Sequence, residues 1–119
     1  MFRQRLTDAT LKDVVYVLKQ VDSQHLVLDL GCNELTDDCV DTLADLFQSK
    51  TVNGLSLRGN RFTQKSCAKL AEIIETSRLR FLSLAENDLN DGTEAITLAI
   101  FNAPALHYGV FGQDCQPYG

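Results

Sequence analysis

Residues 28–35, Leu-Asp-Leu-Gly-Cys-Asn-Glu-Leu, recur in altered form at 55–62 as Leu-Ser-Leu-Arg-Gly-Asn-Arg-Phe and at 82–89 as Leu-Ser-Leu-Ala-Glu-Asn-Asp-Leu. Each copy fits L-x-L-x-x-N-x-L/F, and its asparagine (Asn33, Asn60 or Asn87) lies 27 residues from the next. Self-similarity at a fixed period of this length is typical of stacked repeat architectures. Because one repeat cannot bury its apolar face alone, the repeats must stack on one another.

The residues around each asparagine predict a strand followed by a helix. With the asparagine as position nine, position one is His25, Val52 or Leu79, and positions four and six are leucines. Positions four to six alternate apolar and polar residues, which is the period of a half-buried strand. After position eleven the apolar residues fall at helical spacing. The predicted buried stripes are Val40, Leu43, Leu46 and Phe47, then Cys67, Leu70, Ala71 and Ile74, then Ala95, Leu98 and Ala99.

Strands that alternate with helices are expected to run parallel, joined by right-handed crossovers. The asparagines would then form a column at the point where each strand ends. An amide side chain both donates and accepts hydrogen bonds, so each one can satisfy backbone groups exposed at the turn. We therefore interpret Asn33, Asn60 and Asn87 as structural residues and not catalytic ones.

The pattern L-x-x-L-x-L-x-x-N-x-L followed by a full helix resembles the ribonuclease-inhibitor type of leucine-rich repeat, over roughly residues 25 to 103. His25 and Val52 depart from the leucine of the first position. The resemblance implies an α/β fold, a short right-handed solenoid with parallel strands on the concave side and helices on the convex side. Similar units occur in Ran GTPase-activating protein, tropomodulin and NOD-like receptors. They share a scaffold and differ in partner, so the resemblance transfers no catalytic residue.

The two ends of the chain depart from the repeat. Residues 1–24 are assigned to an N-terminal capping helix. The helix itself is predicted over residues 8–20, with Leu11, Val14, Val15 and Leu18 on one face and Thr7 or Asp8 at its start. Residues 25–103 hold three full repeats. Residues 104–119 are predicted to form a degenerate fourth strand, near 106–111, and a C-terminal tail.

Side chains at positions three, five and seven are expected on the concave face, opposite the buried leucines. Phe81 and Tyr108 would lie side by side there, and aromatic residues and arginine dominate interface energetics. The alternative is that the two rings shield the end of the solenoid. A second row, of Glu34, Arg61 and Asp88, is interpreted as solvated surface. The candidate partner-binding residues are Phe81, Tyr108, Arg58, Asp29 and Glu86.

Charge and composition narrow the classes of partner. The net charge of -5 argues against nucleic acid, whose binders carry a basic stripe. No apolar run approaches the ~20 residues that cross a bilayer. Four cysteines without a C-x-x-C pair disfavour zinc and indicate a reducing, cytoplasmic setting. We expect a protein partner, no nucleic acid, no membrane and no metal or cofactor.

No constellation of residues argues for catalysis. Cys32 and His25 lie at opposite ends of one predicted strand, too far apart to act together, at ~3.3 Å per residue. Cys115 and His107 remain a formal nucleophile pair. The sequence therefore predicts a non-catalytic module that binds a protein through its concave face and adjoining loops. The alternative is a structural subunit fixed in a larger multi-protein assembly, and the chain itself is expected to be a monomer or a subunit of such a hetero-complex.

Overall fold

The computed structural model of the chain describes residues 6–22 and 25–106, and the backbone of 108–112. The described helices are α1 (Asp8–Gln20), α2 (Val40–Ser49), α3 (Cys67–Thr76) and α4 (Thr93–Asn102). The described strands are β1 (His25–Asp29), β2 (Thr51–Ser56), β3 (Phe81–Ala85) and β4 (Tyr108–Gly112). Helices and strands alternate along the chain, as the change of hydrophobic period predicts. None of these described helices combines the length and apolarity needed to cross a bilayer.

The strands form one parallel sheet in the order β1-β2-β3-β4. Each of the first three strands is followed by a short 3₁₀ turn and a helix before the next strand begins. The result is an open α/β arrangement that is compatible with leucine-rich-repeat units. The degenerate fourth strand exists, at Tyr108–Gly112 instead of 106–111, and it pairs with Phe81–Ala85.

The core lies between the sheet and the helices. Its strand side is formed by the residues of positions four, six and eleven: Leu55, Leu82, Leu30, Leu57, Leu84, Leu35, Phe62 and Leu89, all buried. The helices contribute Leu43, Leu70 and Ile96. Full burial of one such side chain stabilises the fold by about 1.5–3 kcal/mol. Leu28 on β1 is only half-buried, because β1 is an edge of the described sheet.

The asparagine column has the structural role expected from the sequence. The Asn60 Oδ1 atom accepts a hydrogen bond from the Leu35 backbone N–H at 3.0 Å, and Asn87 does the same for Phe62. The Asn60 Nδ2 donates to the carbonyls of Leu30 and Leu57 at 2.9 and 3.0 Å. Each amide therefore joins its own turn to the turn of the preceding repeat.

The residue before each asparagine has left-handed backbone geometry, with φ of 59° at Cys32, 69° at Gly59 and 61° at Glu86. This conformation is unstrained only for glycine. The repeated geometry at one position, with three different side chains, shows that the turn and its asparagine impose it. Only Gly59 indicates this turn in the sequence.

The assignment of His25 to position one is wrong. The β1–β2 pairing shifts between Leu26 and Val27, where Asn53 is an extra residue on β2. Leu26 consequently pairs with Val52 and is buried, and His25 is exposed. The His25 Nδ1 atom lies 2.8 Å from the Asn53 Oδ1.

The predicted stripe of the third repeat is also partly wrong. Ile96 and Ala99 are buried, whereas Ala95 is half-buried and Leu98 is exposed. Helix α4 begins one residue earlier than a strict 27-residue period would place it, so Ile96, and not Thr97, takes the buried place of Leu43 and Leu70.

The N-terminal helix matches its prediction, with Leu11 and Val15 buried and Thr7 as N-cap. The Leu6 backbone N–H donates to Asn33 Oδ1 at 2.8 Å, as Leu35 donates to Asn60. Leu6 thus occupies position eleven of a repeat. Helix α1, which follows Leu6, packs on α2.

Candidate functional site

The register of the sheet aligns the predicted concave rows. Val27, Gly54, Phe81 and Tyr108 are successive backbone partners, and so are Asp29, Ser56, Ser83 and Val110. The backbones of Phe81 and Tyr108 are therefore adjacent, as expected. The Tyr108 side chain lies outside the described residues.

Among the described side chains of the sheet, the row of Val27, Gly54 and Phe81 carries the most exposed apolar surface. Val27 is 77% exposed and Phe81 is 38% exposed. Gly54 lies between them, and a Cβ on Gly54 would come within 3.0 Å of Val27 Cγ1. The Val27 side chain therefore leans over Gly54, because this position carries no side chain. Val27 is not among the residues that the sequence predicts to bind a partner.

The third strand is less open than expected. Ser83 and Ala85, at positions five and seven, are both buried. Strand β3 pairs with a strand on each side, and the side chains at these two positions are small. Among the described side chains of this face, the exposed ones are thus concentrated on β1 and β2, with Phe81 at their border.

The charged candidates form a local pair. The Arg58 Nη2 lies 3.1 Å from the Glu86 Oε2, and both side chains are about half exposed. Asp29 accepts a hydrogen bond from the Gly31 backbone N–H at 3.1 Å, so it stabilises its own turn. An exposed ion pair contributes only about 0.2–1 kcal/mol to stability. The pair therefore orients Arg58 more than it stabilises the fold.

The row of Glu34, Arg61 and Asp88 lies beside a shallow polar cleft. Asn60, Arg61, Thr63, Glu86, Asn87 and Asp88 line this cleft. Two of these residues, Asn60 and Asn87, hold the turns together. The cleft is therefore part of the stacked turns, and the interpretation of the row as solvated surface stays a prediction.

The buried thiols are unreactive. Burial, and then the negative charge of Asp8, raise the pKa of Cys39 to about 12. Burial, and then Asp37, raise the pKa of Cys67 above its ordinary value. A thiol is nucleophilic only as the thiolate, so neither residue is a nucleophile at neutral pH. The Cys115–His107 pair lies outside the described residues.

A second ladder of hydrogen bonds is not predicted from the sequence. Asp8 accepts from the Thr36 N–H and hydroxyl at 2.9 and 2.5 Å. Asp37 accepts from the Thr63 N–H and hydroxyl at 2.9 and 2.6 Å, and from the Ser66 hydroxyl. The signal was present as the tripeptide Leu-Thr-Asp at 6–8 and 35–37.

The second carboxylate of this ladder titrates abnormally. Burial by itself raises the pKa of Asp37, but the hydrogen bonds from Ser66 and Thr63 outweigh it and hold the pKa below the ordinary 3.8. A carboxylate stabilised in its charged form is a poor general base or acid at neutral pH. Asp37 is therefore a structural residue.

Comparison with known proteins gives one partial likeness. No family model matches the chain. The chain is similar to the NACHT, LRR and PYD domains-containing protein 14 of Homo sapiens, at 42% identity over 67 residues. The match covers 54% of this chain and 6% of that protein. The chain thus spans a small fraction of this curated relative, and the likeness is consistent with leucine-rich-repeat content.

Proposed function

We propose that this chain is a non-catalytic protein-interaction module of the ribonuclease-inhibitor leucine-rich-repeat type. In this proposal the sheet and helices form a right-handed solenoid, with the strands on its concave side. The repeated asparagine contacts, the parallel strand order and the LRR in the name of the partial relative support it. The free thiols Cys39 and Cys67 are consistent with a reducing compartment, and we assign the module to the cytoplasm.

The proposal includes a division of the chain into three parts. Residues 1–24 are the N-terminal capping helix, residues 25–103 are the three repeats, and residues 104–119 are the degenerate fourth strand and the C-terminal tail. The contact of Leu6 with Asn33 supports a cap built from half a repeat. Terminal units of repeat proteins commonly differ from the internal ones in this way.

The binding site is proposed on the concave face. The observation that carries it is the aligned row in which Val27 and Phe81 expose apolar surface on either side of Gly54. Phe81 and Tyr108 would anchor the partner, and the charged candidates Arg58, Asp29 and Glu86 would supply polar contacts. The site holds no cofactor or metal in this proposal.

The size of the face limits how it can work. Four strands ~4.8 Å apart, each exposing a few residues, present a projected patch of only ~150–200 Å². A standard interface buries about 800 Å² on each partner. The loops that follow the strands must therefore join the contact.

The second candidate is a structural subunit of a hetero-complex. The two unpaired edges of the described sheet favour it, because β1 and β4 present backbone groups that another chain can pair with. A fixed subunit is expected to unfold or self-associate without its neighbours. A free interaction module is expected to be folded on its own and to unfold reversibly.

Affinity capture from lysate, followed by binding of the purified captured protein, tests the proposed site. The variant Phe81→Ser/Arg58→Glu changes the concave face. Tyr16→Ser is the matched control, because Tyr16 is an exposed aromatic residue on the convex side. All variants are first compared with the wild type by circular dichroism and thermal unfolding.

A purified partner that binds the wild type and Tyr16→Ser alike, but binds the concave variant at least ~10-fold more weakly, supports the site. Equal binding by all three proteins would exclude the concave face. In that case the convex helices or the sheet edges carry the interaction, as expected of a fixed subunit.

A further inference from the structure

The segment between α3 and β3 carries two positive charges that the proposed concave site does not use. These are Arg78 and Arg80, and both side chains are exposed. Within the described part of the chain, neither guanidinium is paired with a carboxylate, whereas the cations of Lys19 and Arg58 are. We propose, building on the proposed function, that the partner of the concave face carries an acidic segment, whose carboxylates bind Arg78 and Arg80 next to Phe81.

The extra residue of β2, Asn53, fixes the backbone that carries these arginines. Its Nδ2 donates a hydrogen bond to the Arg78 carbonyl at 3.2 Å, and its own carbonyl accepts from the Arg80 N–H at 2.7 Å. Its Oδ1 lies 2.8 Å from the His25 Nδ1. One residue thus holds both arginines at the end of the sheet where β2 and β3 begin. Because these bonds use only the backbone of the arginines, they leave the guanidinium groups available.

Arg80 belongs to the same surface as the proposed aromatic anchor. Leu79 and Leu82 are each 1% exposed, so both side chains lie in the core. In a regular strand every second side chain would lie on the same face. That alternation is interrupted here, because Arg80 and Phe81, the two residues between the leucines, are both exposed. A partner group that covers Phe81 therefore also comes against Arg80.

The cost of burying charge determines which partner fits this surface. A guanidinium remains charged at physiological pH, and removing it from water without a partner is unfavourable. An apolar or basic segment laid over Phe81 would incur this cost at Arg80. An acidic segment would instead form charge-assisted hydrogen bonds, which a guanidinium can make in pairs to one carboxylate. The net charge of -5 disfavours an acidic segment elsewhere on the chain, so the two arginines would also set its orientation.

The end of α3 offers another explanation for Arg78 but not for Arg80. Helix α3 ends at Thr76, and a cation close to a helix C-terminus interacts favourably with the helix dipole. This effect falls off within the last turn of a helix. Arg80 lies beyond that turn, directly before β3. Arg80→Ala is therefore expected to affect binding of an acidic segment more than Arg78→Ala does.

Selection of a random-peptide library on the immobilised full chain tests the proposal. The wild type is expected to select peptides with aspartate or glutamate beside a large apolar residue. The tightest of these peptides is then synthesised with a fluorescent label, and its Kd is measured by fluorescence anisotropy. Arg78→Ala/Arg80→Ala is expected to weaken its binding at least ~5-fold. Replacing the acidic residues of the peptide by their amides should weaken binding by a similar factor.

The control variant is Lys12→Ala/Lys69→Ala. It removes the same two charges, at exposed positions on α1 and α3, and is expected to bind the peptide as the wild type does. Phe81→Ser separates this inference from the proposed function, because it changes the concave anchor and leaves both arginines in place. Circular dichroism and thermal unfolding first establish that every variant is folded.

A selection without enrichment of acidic residues would overturn the proposal. Equal weakening by the arginine pair and by the lysine pair would overturn it too, because net charge alone would then explain the effect. If Phe81→Ser weakens binding and the arginine pair does not, the concave site stands and the acidic segment is wrong. If the arginine pair weakens binding and Phe81→Ser does not, the acidic contact stands and the concave anchor of the proposed function is wrong.

Discussion

Replacement of Asn60 by alanine should strongly destabilise the protein. The Asn60 amide accepts from the Leu35 N–H at 3.0 Å and donates to the Leu30 and Leu57 carbonyls at 2.9 and 3.0 Å. The side chain is buried, so water cannot replace these bonds without opening the turn. A buried backbone group left without a partner costs about 1–3 kcal/mol. Three such groups, partly relaxed, give an expected loss of about 3–5 kcal/mol.

This loss is large against the total stability, which for a domain of this size is about 6–15 kcal/mol. Urea denaturation followed by circular dichroism measures the change in the free energy of unfolding. Asn33→Ala should cost less, because Asn33 is only half-buried. Asn102→Ala, at an exposed position on α4, is the control and should change stability by less than about 0.5 kcal/mol. A cost for Asn60→Ala as small as that for Asn102→Ala would refute the structural interpretation of the asparagine column.

Three further results are expected. The pKa of Asp37 is lower in the folded chain than its ordinary 3.8. The charged carboxylate therefore stabilises the fold fully above pH 3.8, and this stabilisation is lost as the pH falls through the pKa of the folded chain. Acid titration of the wild type and of Asp37→Asn should show this part of the pH dependence only in the wild type. Gly92→Ala should lower the thermal midpoint of unfolding, because its Cβ would lie 2.3 Å from the Cys67 Sγ and 2.8 Å from the Cys67 Cβ. Adding Cys67→Ala to the same chain should restore only part of the midpoint. An unchanged midpoint in Gly92→Ala would contradict this packing. Iodoacetamide at neutral pH should modify the exposed Cys32 in the native protein. It should modify Cys39, whose pKa is about 12, only when the protein unfolds, and mass spectrometry of timed samples measures both reactions. Rapid modification of Cys39 in the native protein would contradict its burial.

The sequence predicts the parts of this fold that every repeat must share. Leucines at positions four and six and the asparagine at position nine must be the same in each unit, since each unit packs on a copy of itself. Their spacing therefore indicates the strand order and the register that aligns Gly54 with Phe81. The extent of α1 follows as well, from one apolar face and a threonine cap.

The errors in the sequence prediction arise where one unit differs from the next in length. A single extra residue on β2, Asn53, transfers the buried position from His25 to Leu26. One residue fewer before α4 places Ile96, and not Thr97, at the buried position that Leu43 and Leu70 occupy in the two preceding helices. A period read from the asparagines does not register such changes, because the asparagines themselves keep their spacing. Each such change moves the buried face of the helix or strand by one residue along the sequence.

The same reasoning explains why the candidate site is harder to predict than the fold. Positions three, five and seven are not constrained by stacking, so their residues vary and carry no periodic signal. Their exposure depends on the neighbouring strands: Ser83 is buried on β3, while Val27 is open on β1. Among the described side chains, the surface available to a partner on this face of the sheet is therefore concentrated toward β1 and β2. A partner that presents an apolar group between Val27 and Phe81, with an acceptor or donor near Arg58, is the one that this surface fits best.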